Sequence, residues 1–400
     1  MEPLRVLIIG GGNAGISATV FEKDESTAAR ARDWSFGVYW AQSRIEECLT
    51  PELNLLLDTV QTDPSYRRHA ESVLPVYHGV TGEILQPIPA PYAIRLKRRA
   101  FVDMIKKGLD VRYGKSLDTI TVTEGGITAG FKDGTAENGT LLIGAEGAHS
   151  PTRAWLFQLS PEDAALQKVP VSSFGTVAKL TRETALSLRN IHPIYSMAVG
   201  PDNVFVFAAI HDCTAEAPED WTFMLLITWN YDETEDHVRL ANDRVFLLEK
   251  VEALTKSLVY PFNAMVQDVP PETRSWYSSQ MTYWPTRPWD NRGGRVTVAG
   301  DAAHAMTFHR GQGLGNAVAD VTELQTRLRA MKGHTRQELA RAVGGYEKEV
   351  WKRGYDVVME NRENTLAVHD WENVLRSPLL VKGVARQGSL QGSPAQGGKE

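Results

Sequence analysis

The chain has 400 residues, of which 42% are hydrophobic and 23% charged, with a formal net charge of −6 at pH 7. That length allows one large domain or two ordinary ones with buried cores, and the mildly acidic balance argues against nucleic acid as a partner. No apolar stretch reaches the roughly 18 residues that span a bilayer, and the first apolar run is too short and too glycine-broken for a signal peptide. A soluble, cytoplasmic protein is the expectation. Cys48 and Cys213 lie far apart with no C-x-x-C spacing and read as reduced thiols, with a disulfide left open. His304 and His309, five apart, fit one helical face poorly, and no His/Cys cluster has zinc spacing, so no metal is expected.

In chain order, the first element is the strand Leu4-Arg5-Val6-Leu7-Ile8-Ile9, which runs directly into Gly10-Gly11-Gly12-Asn13-Ala14-Gly15. Gly10, Gly12 and Gly15 have the G-x-G-x-x-G spacing of a dinucleotide-binding turn, a weak signal by itself. The acid that should follow about 20 residues later comes early. The strand-like Ala18-Thr19-Val20-Phe21 ends at Glu22, only seven residues past Gly15. Parallel neighbours need a crossover of about a dozen residues or more, usually a helix, and this link is too short for one. The first crossover helix is therefore missing, and the two strands should not lie side by side in parallel with a right-handed link. Either the strand before Glu22 keeps its place with 10–17 stretched across, or it shifts out of register.

Asp33-Trp34-Ser35-Phe36-Gly37-Val38-Tyr39-Trp40 reads as the start of a helix. Arg95-Leu96-Lys97-Arg98-Arg99 precedes another helix, with Phe101 and Ile105 on its apolar face; taken alone, the basic run is a solvated turn. Leu141-Leu142-Ile143-Gly144-Ala145-Glu146 is again a strand ending in small residues and an acid. Residues 155–285 read as mainly β, because 174–180, 204–210 and 221–229 are rich in aromatic and β-branched residues. Within them, Leu240, Val245, Leu248, Val251 and Leu254 mark a helix packed on that sheet.

The most informative stretch is 300–313. The strand Arg295-Val296-Thr297-Val298-Ala299 enters it, and Leu314, Val318, Val321, Leu324, Leu328 and Met331 leave it at helical spacings. Asp301 then stands at the carboxyl end of a strand, either as a ligand group or as a local cap. Gly311, Gly313 and Leu314 stand at a helix start, where bare N–H groups favour an anionic ligand. Residues 336–366 read as long helices interrupted at Gly344-Gly345, and the Gly/Ser/Gln/Pro-rich tail from about 386 should be disordered. The strand-end motifs at 4–15, 139–147 and 295–313 make chemical sense only if they converge on one ligand. The fold class is then α/β (mixed α+β), with one discontinuous domain from 1–154 and 286–366. A mainly β domain, 155–285, is inserted, and 367–400 is a C-terminal extension.

Together and in this order, the three motifs resemble the group A FAD-dependent monooxygenases, the aromatic-hydroxylase-like flavoproteins of the type found in fungal secondary metabolism. The resemblance implies a Rossmann-like three-layer FAD-binding domain and an inserted substrate domain. It places FAD between Gly10, Gly12 and Gly15 at one end and Gly311, Gly313 and Leu314 at the other. Glu22 would bind the adenine ribose, Asp301 the ribityl and pyrophosphate side, and Arg98 would lie near the flavin, with Arg99 as the alternative. NADPH or NADH would be co-substrate, and O₂ would add to the flavin to give a hydroperoxide that hydroxylates or epoxidises an aromatic or polyketide-like small molecule. Phe308 replaces the family's loop Pro, Val102 its second Arg, and Asn316 is displaced from the expected position near Gly315. Glu146 would order its turn and His304 would be a packed histidine. Tyr195, Phe207, His211, Trp229 and Trp284 are candidate pocket liners, and no catalytic residue stands out. The alternative is a truncated, inactive family member that binds FAD poorly or not at all and tends to aggregate, because the helix facing the pyrophosphate is missing. A flavin halogenase is disfavoured by the absence of Trp-x-Trp-x-Ile-Pro, and a nicotinamide-only dehydrogenase leaves 300–313 unexplained.

Overall fold

A computed structural model describes residues 5–9, 18–29 and 33–384. Five short strands form a parallel sheet in the order Val296–Val298, Leu141–Gly144, Val6–Ile9, Ala18–Phe21, Asp110–Arg112. Their apolar runs are covered on both faces, as parallel strands require: Val6, Leu7, Leu141, Leu142, Val296 and Val298 are all buried. Because every pair is parallel, the carboxyl ends at Ile9, Phe21, Gly144 and Val298 emerge along one edge. The strands that carry the three sequence motifs therefore do converge. Gly10, Gly12 and Gly15 lie outside the described residues, as does the tail from 386.

One expectation is overturned. Val6–Ile9 and Ala18–Phe21 are parallel neighbours, in a register running from Val6↔Ala18 to Ile9↔Phe21. The reason lies in strand length. A four-residue strand is only about 13 Å long, whereas eight linking residues reach up to roughly 27 Å, enough to return to the start of the next strand. The outer partners, Leu141–Gly144 and Asp110–Arg112, hold both strands in register, and Glu22's strand keeps its place.

The second large element is a seven-stranded sheet in the order Ser275–Ser278, Val171–Lys179, Thr222–Asn230, Val204–Asp212, Tyr195–Gly200, Val73–His78, Ile84–Pro89. Its pairs are antiparallel except for Tyr195–Gly200 with Val73–His78. The three predicted strands are its centre. The sheet is not confined to 155–285, however, because the hairpin at 73–89 extends it. Ile84–Pro89 carries Pro87 and Pro89, which cannot donate to a ladder, so this strand suits the sheet's edge.

Two further expectations are corrected. Ser35–Val38 is a strand, paired antiparallel with Ile94–Lys97, and the helix starts only at Gln42. The pairing sets Phe36 edge-on to Phe101, with ring centroids 5.7 Å apart. Residues 336–367 form one uninterrupted helix, Arg336–Ala367, through Gly344-Gly345. A Cβ on Gly345 would meet the far end of the Arg327 side chain from helix Gly313–Arg329, and the helix carries the glycine at a propensity cost of about 1 kcal/mol. No helix among the described residues is long and apolar enough to cross a membrane, and Cys48 and Cys213 are both free.

The long helix also buries Glu347. Its carboxylate accepts from Trp289 Nε1 and Thr297 Oγ1, each at 2.8 Å, and from Asn291 Nδ2 at 2.6 Å. Burial outweighs these donors and pushes the carboxyl up to about 7, from an ordinary 4.5. The folded state thus holds this proton more tightly than the unfolded chain does. Its contribution to stability is full below about pH 4.5 and is lost as pH rises through 7, on the order of 3 kcal/mol in all. Urea unfolding of Glu347→Gln should accordingly show a flatter pH dependence between pH 5 and 8 than the parent; an unchanged slope would assign the titration to another group.

Candidate functional site

At the edge of the parallel sheet, Val296–Val298 leads into Gly300, at φ 60°, and the short helix Asp301–His304. The turn is tied from below by Asp320. Its Oδ2 accepts from Gly300 N and His304 Nε2, both at 2.7 Å, and its Oδ1 from Arg353 Nη2 at 2.5 Å. Burial alone would raise Asp320, but His304 and Arg353 outweigh it and hold the carboxyl below the usual range. His304 is fully buried in this network, as its packed reading expected.

Asp301 is the first residue inside its helix rather than the cap, which is Gly300. Its side chain is open to solvent but enclosed by the walls of a groove, which push its carboxyl up; His304 opposes the rise. Among the described residues no group donates a hydrogen bond to that carboxylate; its contact to Arg153 runs through the backbone carbonyl. It faces the start of helix Gly313–Arg329, where a Cβ on Gly313 would meet nothing closer than Asp301 Oδ1 at 3.8 Å.

Gly311, at φ 60°, must stay glycine for a second reason: a Cβ would fall 2.6 Å from the Tyr39 ring. The loop around it is pinned from behind. Arg310 reaches Glu360 and donates twice to Gly383 O, at 2.8 and 3.1 Å, while Gln312 Oε1 accepts from Asn361 Nδ2 at 3.0 Å.

In front of the loop lies a cavity of about 330 Å³. Asp301, Gly311, Gly313 and Leu314 line it from the parallel-sheet side, and Met197, Phe205, Phe207, Met224 and Leu226 from the seven-stranded sheet. Four predicted cofactor residues are thus brought together. Glu22 ends its strand at the same sheet edge, half-buried, with Oε1 accepting from Asp24 N at 3.0 Å. Arg98 is not on the cavity wall; its guanidinium lies 5.8 Å from the ring of Trp34, which is. Arg99 pairs with Asp33 at 3.7 Å. Glu146 accepts from Ser150 Oγ at 2.7 Å and from Thr152, ordering its turn as expected.

Of the five predicted liners, Phe207 alone borders the cavity. Trp284 belongs to the core of the parallel sheet and donates to Asp163 O at 2.8 Å. Trp229 stacks near Tyr277, Tyr195 sits edge-on to Tyr39, and burial holds His211 below the ordinary histidine range. Arg95, Tyr39, Trp34 and Trp276 also form the wall; their sequence hides this, because 33–40 suits a helix, 95–99 suits a solvated turn and Trp276 stands in no motif.

His309 also lines the cavity, and its hydrogen bonds fix its state. His369 Nδ1 must donate to Thr365 O at 2.7 Å, so its Nε2 accepts from Thr228 Oγ1 at 2.8 Å. Thr228 therefore accepts from His309 Nε2 at 3.0 Å, and Nδ1 lies 2.9 Å from Thr365 Oγ1, whose single proton also faces Thr307 Oγ1 at 2.7 Å and Asn361 O at 2.9 Å. Burial and then His369 hold His309 well below its ordinary pKa. It is therefore neutral, with its Nε2 proton committed to Thr228.

A groove with an undonated acid facing a bare helix start fits the hydroxyls and anionic parts of FAD. Residues 99–360 match the family model described as FAD binding domain. Over 404 aligned residues the chain is 39% identical to the FAD-dependent monooxygenase cctM of Talaromyces islandicus, covering 97% of this chain and 100% of that protein. It is 30% identical to the FAD-dependent monooxygenase phnB of Penicillium herquei, covering 94% of each. Its fold matches that of HpxO from Klebsiella pneumoniae, solved with FAD and uric acid, at a TM-score of 0.71 and 17% identity over 95% of this chain and 92% of that one. Fold and site thus define an FAD-binding flavoprotein. The chain belongs to the FAD-dependent monooxygenases, of the type those fungal relatives represent, and no finding favours the inactive alternative.

Proposed function

We propose that the protein uses NADPH or NADH and molecular oxygen to hydroxylate or epoxidise an aromatic or polyketide-like small molecule in a fungal secondary-metabolite pathway, in the cytoplasm. The observation that carries this is the single cavity bordered by the Asp301 and Gly311–Leu314 edge and by the apolar, aromatic sheet wall. FAD, when bound, supplies the electron transfer and oxygen activation. Asp301 would accept from a ribityl hydroxyl, and the N–H groups at Gly313 and Leu314 would face the flavin's electron-rich edge. Glu22 would accept from the adenine ribose, Gly10, Gly12 and Gly15 would approach the pyrophosphate, and Arg98 would support the Trp34 wall beside the flavin. The sheet's apolar side chains exclude water from the reacting centre. Urate in the Klebsiella relative is a flat, polar ring, consistent with a cavity of this size here.

Asp301→Ala tests the reading. Loss of a charge-assisted hydrogen bond costs about 1.5–3 kcal/mol, so FAD should bind roughly tenfold to 150-fold more weakly. The apo protein's melting temperature should fall little, because among the described residues no group donates a hydrogen bond to that carboxylate. Flavin fluorescence titration reads the affinity; unchanged FAD binding would reduce Asp301 to a bystander.

A further inference from the structure

The apolar wall of the cavity carries a charge that cofactor binding leaves without a task. Arg95, in the strand Ile94–Lys97, is only 2% exposed and borders the cavity beside Tyr39, Phe207 and Met224. Nε donates to Ser35 Oγ at 2.8 Å, and Nη2 to Ser35 O at 2.9 Å, with Met224 Sδ at 3.5 Å. The guanidinium sits 5.2 Å from the Phe207 ring centroid. Among the described residues no carboxylate pairs with it, and nothing accepts from Nη1. The ionisable groups nearest in its field, Tyr39 and Tyr195, are kept neutral, because burial pushes both hydroxyls up. Burial lowers Arg95 itself to about 10, so it remains a cation at neutral pH.

The wall's other arginine is committed elsewhere: Arg310 is held by Glu360 and Gly383. A buried cation without a counter-charge is strongly unfavourable, whereas Leu or Met would pack this wall without penalty. Two neutral oxygens and a thioether anchor the guanidinium's position but do not balance its charge. That combination, a fixed orientation and an open Nη1, is what a site for an incoming anion requires.

We propose that Arg95 is the substrate's anion anchor: through Nη1 it takes an anionic oxygen, a carboxylate or an ionised phenol or enol, carried on an aromatic ring lodged against Phe207. Calling the ligand a substrate rests on the monooxygenase reading; the anion site itself rests on Arg95's surroundings.

Calorimetric titration of the full chain at pH 8 with 2-naphthoate, 4-nitrophenolate and neutral 2-naphthamide tests this. At least one anion should bind about tenfold more tightly than the amide, the scale of one charged hydrogen bond. The better anion tells carboxylate from phenolate. Arg95→Gln should abolish the preference while changing amide binding less than about threefold, and Arg95→Lys should keep part of it. A parent protein without anion preference, or an Arg95→Gln protein that retains it, overturns the proposal. If Arg95→Gln does not fold, the parent and Arg95→Lys decide. Flavin absorbance of the same samples separates the two readings. Flavin retained without anion preference sinks the anchor alone; anion preference in a protein that cannot take up flavin sinks the monooxygenase reading alone.

Discussion

Asp320→Ala is expected to lower stability by about 3–5 kcal/mol and to weaken FAD binding with it. Asp320 has no exposed side-chain surface and satisfies three donors: Gly300 N, His304 Nε2 and Arg353 Nη2. Its removal leaves the Arg353 guanidinium buried with Asn316 Oδ1 at 3.0 Å and the half-exposed Glu349. Glu349 compensates in part, so the loss should fall near the lower end of that range. The second effect is positional. Gly300 N–H fixes the turn that presents Asp301 to the groove, and without its acceptor the turn loosens. Asp320→Asn keeps an acceptor for Gly300 and should do less harm to FAD binding than to stability. Urea unfolding and FAD titration of both variants check this; a loss below about 1 kcal/mol in Asp320→Ala would mean that water replaces the carboxylate at little cost.

The parts of this molecule legible in the sequence are those set by local pattern. Residues 295–299 and 141–144 are short apolar runs that end in turn residues, and they became neighbouring strands with their acids at one edge. The parts that were not legible depend on partners far away in the chain. Asp320 lies between Val318 and Val321, which mark an apolar helix face, and nothing local tells whether the acid between them faces water or Arg353, 33 residues on. Arg95 opens a run of four basic residues in five. Only strand pairing with Ser35–Val38 decides that it is the one turned inward. The same pairing was hidden because Trp34, Tyr39 and Trp40 suit a helix face as well as a strand. The 73–89 hairpin joined the large sheet because Tyr195–Gly200 offered an unpaired edge, a fact about the assembled sheet. The misjudged link at 10–17 came from assuming strands of ordinary length.

Arg310→Ala should release the C-terminal segment from the cavity, at a cost of about 3 kcal/mol. Arg310 is 1% exposed, and its guanidinium joins the glycine loop to Glu360 and, twice, to Gly383 O. The segment is otherwise fastened by Leu379 N donating to Asn364 Oδ1 at 2.6 Å, by Lys382 to Glu360 at 2.5 Å and by burial of Leu379. The residue after Gly383, Val384, forms part of the cavity wall and accepts from Gln312 Nε2 at 3.4 Å. Without Arg310, Glu360 keeps only the exposed Lys382 among the described residues, the Gly383 carbonyl loses both donors, and the wall at Val384 is held chiefly by the long Gln312 contact. Water then reaches the reacting centre, so a larger share of the reduced nicotinamide consumed should appear as hydrogen peroxide instead of oxygenated product. Arg310→Lys retains the charge opposite Glu360 but not the paired donors to Gly383, and should lie between. Hydrogen exchange at 379–384 reads the release directly, and the peroxide-to-product ratio reads its consequence. Unchanged exchange in Arg310→Ala would show that the remaining ties, from Leu379 to Asn364, Lys382 to Glu360 and Gln312 to Val384, hold the segment without Arg310, and the peroxide yield should then stay at the parent's level.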